Sequence, residues 1–290
     1  MLERIQKLAD LTVAGKMYIE HTDTAYGRED IFLSPLTMQA KRAAEYILNQ
    51  KPFVNEYTAL TGYLRFCGDV MGDIFNRNGH ANFAEMMKAF YNKPVDGLCT
   101  FEWQHSVGDY EKVIKGGIAG LKKEIQTSLA CHEAVEEREF LEGLNTIADA
   151  IIGWAHKCSA AAGAKALETD VPEYKSNLLK LSEALRNVPE KPAKSFYEAV
   201  LTVYVIYAFV PDSIGTIDRY LYPFYKKDME AGVLSEDEAK AYLQELFLML
   251  QARINIKSDR FYRGGESHFC IGGYLENGDD GFNELLKLRT

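Results

Sequence analysis

The residues whose side chains could most readily bind or react with a ligand form a polar turn that follows a long apolar segment. Asp212, Ser213 and Asp218 supply two carboxylates and a hydroxyl within a short stretch. Polar groups held at the end of a buried, rigid element are a reasonable place for a binding site. The same residues could equally form an ordinary loop, because Asp, Ser and Gly are common turn formers. Composition alone favours the ordinary loop.

Two histidines have a carboxylate at helical spacing. His132 and Glu136 stand four residues apart, which predicts a shared helix face, but a metal site needs three or four ligands. We therefore interpret this pair as solvated and expect no metal site. His105 and Asp109 have the same spacing, although Asp109 is a good N-cap for the helix that follows.

One helix that is apolar on every face must hold the polar turn in place. Residues 199–210 are apolar except for Thr202, and such a helix must be buried on all sides. Ser195 and Glu198 precede it as a Ser-x-x-Glu capping box. Twelve residues are too few to span a bilayer. The sequence therefore predicts a helix at the centre of a large core, with the polar turn at its C-terminal end.

The remaining segments predict a mainly α-helical chain with a few strands near its C-terminus. Apolar periodicity and capping residues indicate helices near residues 1–20, after Ser34-Pro35, from Asp109 to Ile125, over 140–162 and 178–188, and after the Ser235/Glu238 capping box. Gly116-Gly117 indicates close packing or a kink, and residues 163–172 a connection. A strand is predicted at 269–274 and a turn at Asn277-Gly278. We predict a single domain, helical over 1–252 and strand-containing over 253–290.

Composition limits the class of protein. The chain has 290 residues, 47% of them hydrophobic, which is enough for a sizeable core. A net charge of −9 argues against a nucleic-acid or anionic-membrane partner. The five cysteines are scattered and show no CxxC spacing, which is typical of reduced thiols. We expect a cytoplasmic protein without a signal peptide or transmembrane helix.

Four stretches, in this order, resemble the N-terminal half of the glycyl radical enzymes, the pyruvate formate-lyase and radical dehydratase group. They are HSVGDYEKVIKGGIAGL (105–121), ETDVPEYKSNLLKLSEALRNVPEKPAKSFYEAV (168–200), SIGTIDRYLYPFYKKDMEAGVLSEDEA (213–239) and FCIGGYLENGDDGFNEL (269–285). The resemblance implies part of the first half-barrel, and the helical shell, of a ten-stranded α/β barrel. It also implies anaerobic metabolism, in which a lyase, transferase or dehydratase cleaves a C–C or C–O bond of a small molecule.

The resemblance further implies a glycyl radical that an iron–sulfur activating enzyme installs with S-adenosylmethionine. The family's cysteine loop and Arg-Val-x-Gly segment are not found in these 290 residues. We therefore expect no catalytic residue, no bound cofactor and no activity from this stretch alone. Cys270 is not flanked like the radical cysteine of the family, and we interpret it as a core thiol.

The candidate substrate contacts also follow from the resemblance. Asp212 and Ser213 occupy the place of a polar pair that faces the substrate in dehydratase-like members, and Asp218 and His105 are further candidates. A buried histidine satisfied by hydrogen bonds is the simpler interpretation of His105. Thr216 and Arg219 replace the family's usual Arg and Gln around Asp218, which leaves the substrate open.

Three hypotheses for the whole chain remain open. The first is the N-terminal part of a glycyl radical enzyme. The second is a short, non-catalytic relative that associates with another chain or with a second copy of itself. The third and weakest is an unrelated metal or hydrolytic enzyme on a helical scaffold.

Overall fold

The computed structural model describes residues 2–14, 16, 19–20, 32–60, 64–65, 107–209, 213–252 and 269–288. In chain order its elements are α1 (Leu2–Val13), β1 (Ile19–Glu20), α2 (Pro35–Asn49), β2 (Leu64–Arg65), α3 (Tyr110–Leu129), α4 (Val135–Glu168), α5 (Pro172–Ala184), α6 (Phe196–Phe209), β3 (Gly215–Thr216), α7 (Ile217–Glu230), α8 (Glu236–Ala252), β4 (Phe269–Cys270) and a 3₁₀ helix (Glu284–Lys287). The predicted mainly helical fold is confirmed.

Helix α6 lies in the core, as its apolar sequence predicts. Every side chain over 199–208 is buried. At its start the Glu198 amide donates to the Ser195 hydroxyl at 3.2 Å, as expected for a capping box. The Phe196 amide donates to the buried carboxylate of Asp228, on α7, at 2.7 Å. A neighbouring helix therefore supplies part of the cap of the central helix.

Helix α4 is longer than predicted and runs through Gly163 to Glu168. The connection that we predicted over 163–172 is therefore wrong over most of its length. A Cβ atom at Gly163 would lie 3.2 Å from the Oγ atom of Ser182 on α5. Close packing of α4 against α5 explains the glycine, because tertiary contacts override its weak helix propensity.

Helix α3 is interrupted at Gly117, where φ is 66° and ψ is 170°. The chain before α6 lies against this break. The amides of Ile118 and Ala119 donate to the carbonyls of Pro189 and Glu190 at 2.8 and 2.9 Å. These bonds satisfy amides that a continuous helix would pair internally. The kink predicted from the glycine pair is confirmed.

Strands occur as two short parallel pairs. β1 pairs with β2 through Ile19 and Leu64. β3 pairs with β4, with Gly215 opposite Phe269. Strand residues therefore also occur within the first 252 residues, where sequence patterns indicated helices alone.

A buried ion pair joins α1 to α8. Arg4 and Glu245 are 3% and 0% exposed, and their side chains are hydrogen-bonded. Glu245 also accepts the amides of Ala59 and Leu60 at 2.7 and 2.8 Å. The ion pair therefore joins three distant parts of the chain. Tyr197 adds a further contact with Ala59: burial raises the pKa of Tyr197 well above its ordinary value, so its hydroxyl stays a donor to the Ala59 carbonyl.

The predicted shared helix face of His132 and Glu136 is wrong. Helix α3 ends at Leu129 and α4 begins at Val135, so His132 lies in the connection. Its Nδ1 atom lies 2.7 Å from the Ser128 carbonyl oxygen. The i, i+4 spacing has no geometric meaning outside a continuous helix.

Candidate functional site

Parallel segments surround the short strand that lies between two of the candidate residues, Ser213 and Asp218. Val107 forms a parallel bridge with Ser213, and the next residues of that segment form β3, which pairs with β4. Helix α3 begins shortly after Val107, and α7 directly after β3. In sheets with parallel strands, ligands bind beyond the carboxyl ends of the strands, which is where Asp218 lies. The residues that flank β3, from Ser213 to Asp218, form the candidate functional site, which we call the candidate edge.

Ser213 is half-buried and opens the segment that leads into β3. Its hydroxyl accepts the Gly215 amide at 3.2 Å. Gly215 has a φ of 65°, which favours glycine, and a Cβ atom there would lie 3.0 Å from Val107 Cγ1. The turn therefore fixes the Ser213 hydroxyl beside the Val107 segment.

Asp218 lies in the first turn of α7 and is 1% exposed. Its Oδ2 atom accepts the Gly272 amide at 3.1 Å and the Asn283 side-chain amide at 3.3 Å. Its Oδ1 atom is buried and has no hydrogen-bond partner within the described ranges. Asn283 in turn accepts the Leu285 amide at 3.1 Å and caps the 3₁₀ helix. The carboxylate thus joins α7 to the segment that follows β4.

Arg219 contacts the same segment. Its Nη2 atom donates to the Gly272 carbonyl at 3.2 Å and also to the Tyr274 carbonyl. Cβ atoms at Gly273 and Gly281 would lie 3.3 and 3.4 Å from Nη2. These glycines therefore leave room for the guanidinium.

Tyr220 joins the N-terminal turns of α3 and α7. Its hydroxyl donates to the Ile214 carbonyl at 2.7 Å. Its ring stacks on Tyr110, with centroids 6.1 Å apart and planes at 20°. Burial raises the pKa of Tyr220 well above its ordinary value, so the hydroxyl stays a donor. These contacts hold the Val107 and Ser213 segments together.

The interpretation of Cys270 as a core thiol is wrong, because its side chain is exposed. Its strand neighbour Phe269 is 41% exposed, although its ring stacks on Phe247 of α8 at 5.2 Å. A short apolar run predicts a buried strand, but it does not show whether both faces are covered.

Two of the predicted site residues, His105 and Asp212, lie outside the described residues. Asp218 lies just after β3, at its carboxyl end, whereas Ser213 precedes β3 and pairs with Val107. Substrate contact by these four residues stays a prediction. The contacts of Arg219 with Gly272 and of Asn283 with Asp218 were not predicted from the sequence. The neighbouring glycines were the available signal, since glycine often marks a close approach.

Within the residues that the structure describes, every helix is too short or too polar to cross a membrane. Across the same residues, His, Cys, Asp and Glu side chains form no group of three or more that could hold a metal ion.

Comparison with known proteins identifies the family. The model for the family described as pyruvate formate lyase-like matches residues 73–288. The chain belongs to the pyruvate formate lyase-like family. The isethionate sulfite-lyase of Bilophila wadsworthia is 33% identical over 238 residues, which are 71% of this chain and 28% of that protein. The trans-4-hydroxy-L-proline dehydratase of Clostridioides difficile is 25% identical over 60% of this chain and 25% of its own length.

Solved structures of other proteins share the fold of this pyruvate formate lyase-like chain. A Roseburia inulinivorans structure described for 1,2-propanediol dehydration matches 99% of this chain and 44% of its own, with a TM-score of 0.79 and 18% identity. The B12-independent glycerol dehydratase of Clostridium butyricum matches with a TM-score of 0.78 and 16% identity, over 99% and 45%. A similar structure from Archaeoglobus fulgidus is described as a glycyl radical enzyme. The resemblance to glycyl radical enzymes is confirmed. The chain spans less than a third of the curated relatives above and less than half of the solved chains.

Proposed function

We propose that this chain is the N-terminal part of a glycyl radical lyase or dehydratase that acts on a small molecule. The parallel segment that begins at Ser213 and leads through β3 to Asp218, in a chain of this family, carries the proposal. The bond cleaved would be C–C, C–O or, as the sulfite-lyase relative suggests, C–S. The glycyl radical, installed by an S-adenosylmethionine-dependent iron–sulfur activating enzyme, would supply hydrogen-atom abstraction.

The chain's own contribution would be to bind and orient the substrate. Ser213 is held at a fixed position at the candidate edge, where its hydroxyl could contact a polar group of the substrate. Asp212 and His105 are proposed as further contacts. One hydrophobic cluster runs from Leu8 to Leu285, which supports a single domain. The thiols Cys131 and Cys270, which form no disulfide, support a cytoplasmic location.

The test uses the complete product of the gene, read beyond Thr290. After anaerobic activation with S-adenosylmethionine and an activating enzyme, electron paramagnetic resonance should detect a glycyl radical. Isethionate, hydroxyproline and vicinal diols are the first substrates to assay, since related proteins carry those names. Ser213→Ala should raise KM about tenfold, the loss expected for one hydrogen bond in a closed site, and leave the radical yield unchanged. An activated product that forms no radical would refute the proposal.

A second candidate function is a non-catalytic chain that pairs with another chain. Several large apolar side chains around the candidate edge are exposed: Val107 59%, Phe269 41%, Ile271 58%, Tyr274 79% and Phe282 56%. Clusters of this kind mark surfaces that a further polypeptide covers. Light scattering of the 290-residue chain decides this candidate, because a monomer that persists at every concentration argues against association.

A further inference from the structure

We propose that Asp218 and Arg219 are positioning residues, which fix the segment from Phe269 to Asn283 against β3. This inference rests on the proposed function only in treating that edge as a substrate site. The role differs from the substrate contact predicted for Asp218, because Asp218 acts here through the backbone of another segment.

The geometry of Gly272 carries the inference. Its amide donates to Asp218 Oδ2 at 3.1 Å, and its carbonyl accepts from Arg219 Nη2 at 3.2 Å. Two consecutive side chains of α7 thus bind both the amide and the carbonyl of Gly272. The φ of 67° at Gly272 marks a sharp turn directly after β4. The pair therefore fixes both the position and the direction of the chain where it leaves the strand.

A second set of contacts extends the same attachment. Asn283 donates from its side chain to Asp218 Oδ2 at 3.3 Å. Between these points the Gly281 amide donates to the Gly273 carbonyl at 2.6 Å, and the two glycines leave the space that Arg219 occupies. The segment is therefore a closed loop that is joined to α7 at both of its ends.

The short length of β4 makes this attachment decisive. β4 contains two residues, and such a short pairing is marginal without other contacts. Hydrogen bonds to charged groups are stronger than those between neutral groups. Asp218 and Arg219 therefore contribute more than the strand pairing does to the position of Cys270 beside Thr216.

Amide hydrogen exchange on the 290-residue protein tests the inference without substrate or radical. Asp218→Asn and Arg219→Met should each speed exchange over 272–285 about tenfold, with little change in α3. Asp228→Asn is the matched control, because Asp228 is also buried on α7 but bonds the Phe196 amide instead. The control should speed exchange at the start of α6 and leave 272–285 unchanged.

Two results would overturn the positioning role. One is unchanged exchange over 272–285 in both variants. The other is an acceleration that spreads evenly along the chain or appears equally in the Asp228 control, because either indicates a loss of global stability.

The complete gene product gives a second readout. Arg219→Met should raise KM about tenfold at an unchanged radical yield, and Arg219→Lys should restore part of that loss. An unchanged KM in Arg219→Met would overturn the positioning role. Failure of the unaltered protein to form a radical would overturn only the proposed function.

Discussion

Replacing Gly117 by alanine tests whether the break in α3 is required by the fold. A φ of 66° with a ψ of 170° lies in a region that is essentially restricted to glycine. A Cβ atom there would lie 2.3 Å from the Glu190 carbonyl oxygen and 2.6 Å from the Lys191 carbonyl carbon. Both neighbours are backbone atoms, so no side-chain rotation can relieve the contact.

The loss of stability has two parts. Backbone strain contributes about 2 kcal/mol, within the range for a residue held in such a region. The displaced chain would also weaken the hydrogen bonds of Ile118, Ala119 and Ala193 across the break, at about 1 kcal/mol for each bond lost. We therefore expect Gly117→Ala to destabilise the protein by about 4 kcal/mol, which lowers Tm by roughly 8–16 °C in a chain of this size.

The adjacent glycine provides the control. Nothing lies within 4 Å of a Cβ atom at Gly116. Gly116→Ala should therefore raise stability, by up to about 1 kcal/mol, because alanine favours the helix. Urea unfolding followed by circular dichroism measures both variants. Equal stability of Gly117→Ala and the unaltered protein, or an equal loss in both variants, would refute the reasoning.

Five substitutions at three places test other parts of the molecule. Arg4→Met and Glu245→Gln should each lower the free energy of unfolding by about 3 kcal/mol, because the remaining buried group loses its partner. The double variant should lose less than the sum of the two single losses. The hydrogen bond to Glu284 raises the pKa of Tyr222 to about 12, so Glu284→Gln should return it toward 10 in a spectrophotometric titration. The same bond lowers the pKa of Glu284 from its ordinary value of 4.5. The bond therefore stabilises the folded protein above pH 4.5, and this stabilisation is lost as the pH falls through the pKa of Glu284 in the folded protein. Tyr222→Phe should remove this pH-dependent loss from acid unfolding curves. Tyr204→Asp should abolish cooperative folding, because Tyr204 is 1% exposed, and a near-normal melting curve would contradict its place in the core.

Sequence patterns predicted the helices best where the signal is local. The capping box before α8 forms as expected, since the Ser235 amide donates to Glu238 at 3.0 Å and the Glu238 amide to Ser235 at 3.3 Å. Asp109 likewise accepts the Lys112 amide at 3.0 Å. Patterns failed at Gly163, where packing against another helix decides the structure. Such contacts between distant residues leave no periodic trace in the sequence.

Only part of the candidate site could be predicted from the sequence, because its other contacts join residues that are far apart in the chain. A polar turn after an apolar helix indicated Ser213 and Asp218, and the structure places them before and just after β3. The partners of Asp218 come from residues 272 and 283, far along the chain. The glycines after β4 indicated the close approach of another group, but not that this group would be the guanidinium of Arg219. Pairings of this range depend on the tertiary fold.

Helix α7 connects the two features on which the proposed site depends. Asp218 and Asp228 stand ten residues apart on it, about 15 Å along the axis. Each carboxylate is buried and accepts a backbone amide from a distant element, Gly272 in one case and Phe196 in the other. A buried carboxylate is costly without such partners, so each acid favours one pairing over its alternatives. The position of α7 therefore sets the start of the central helix and the end of β4 together.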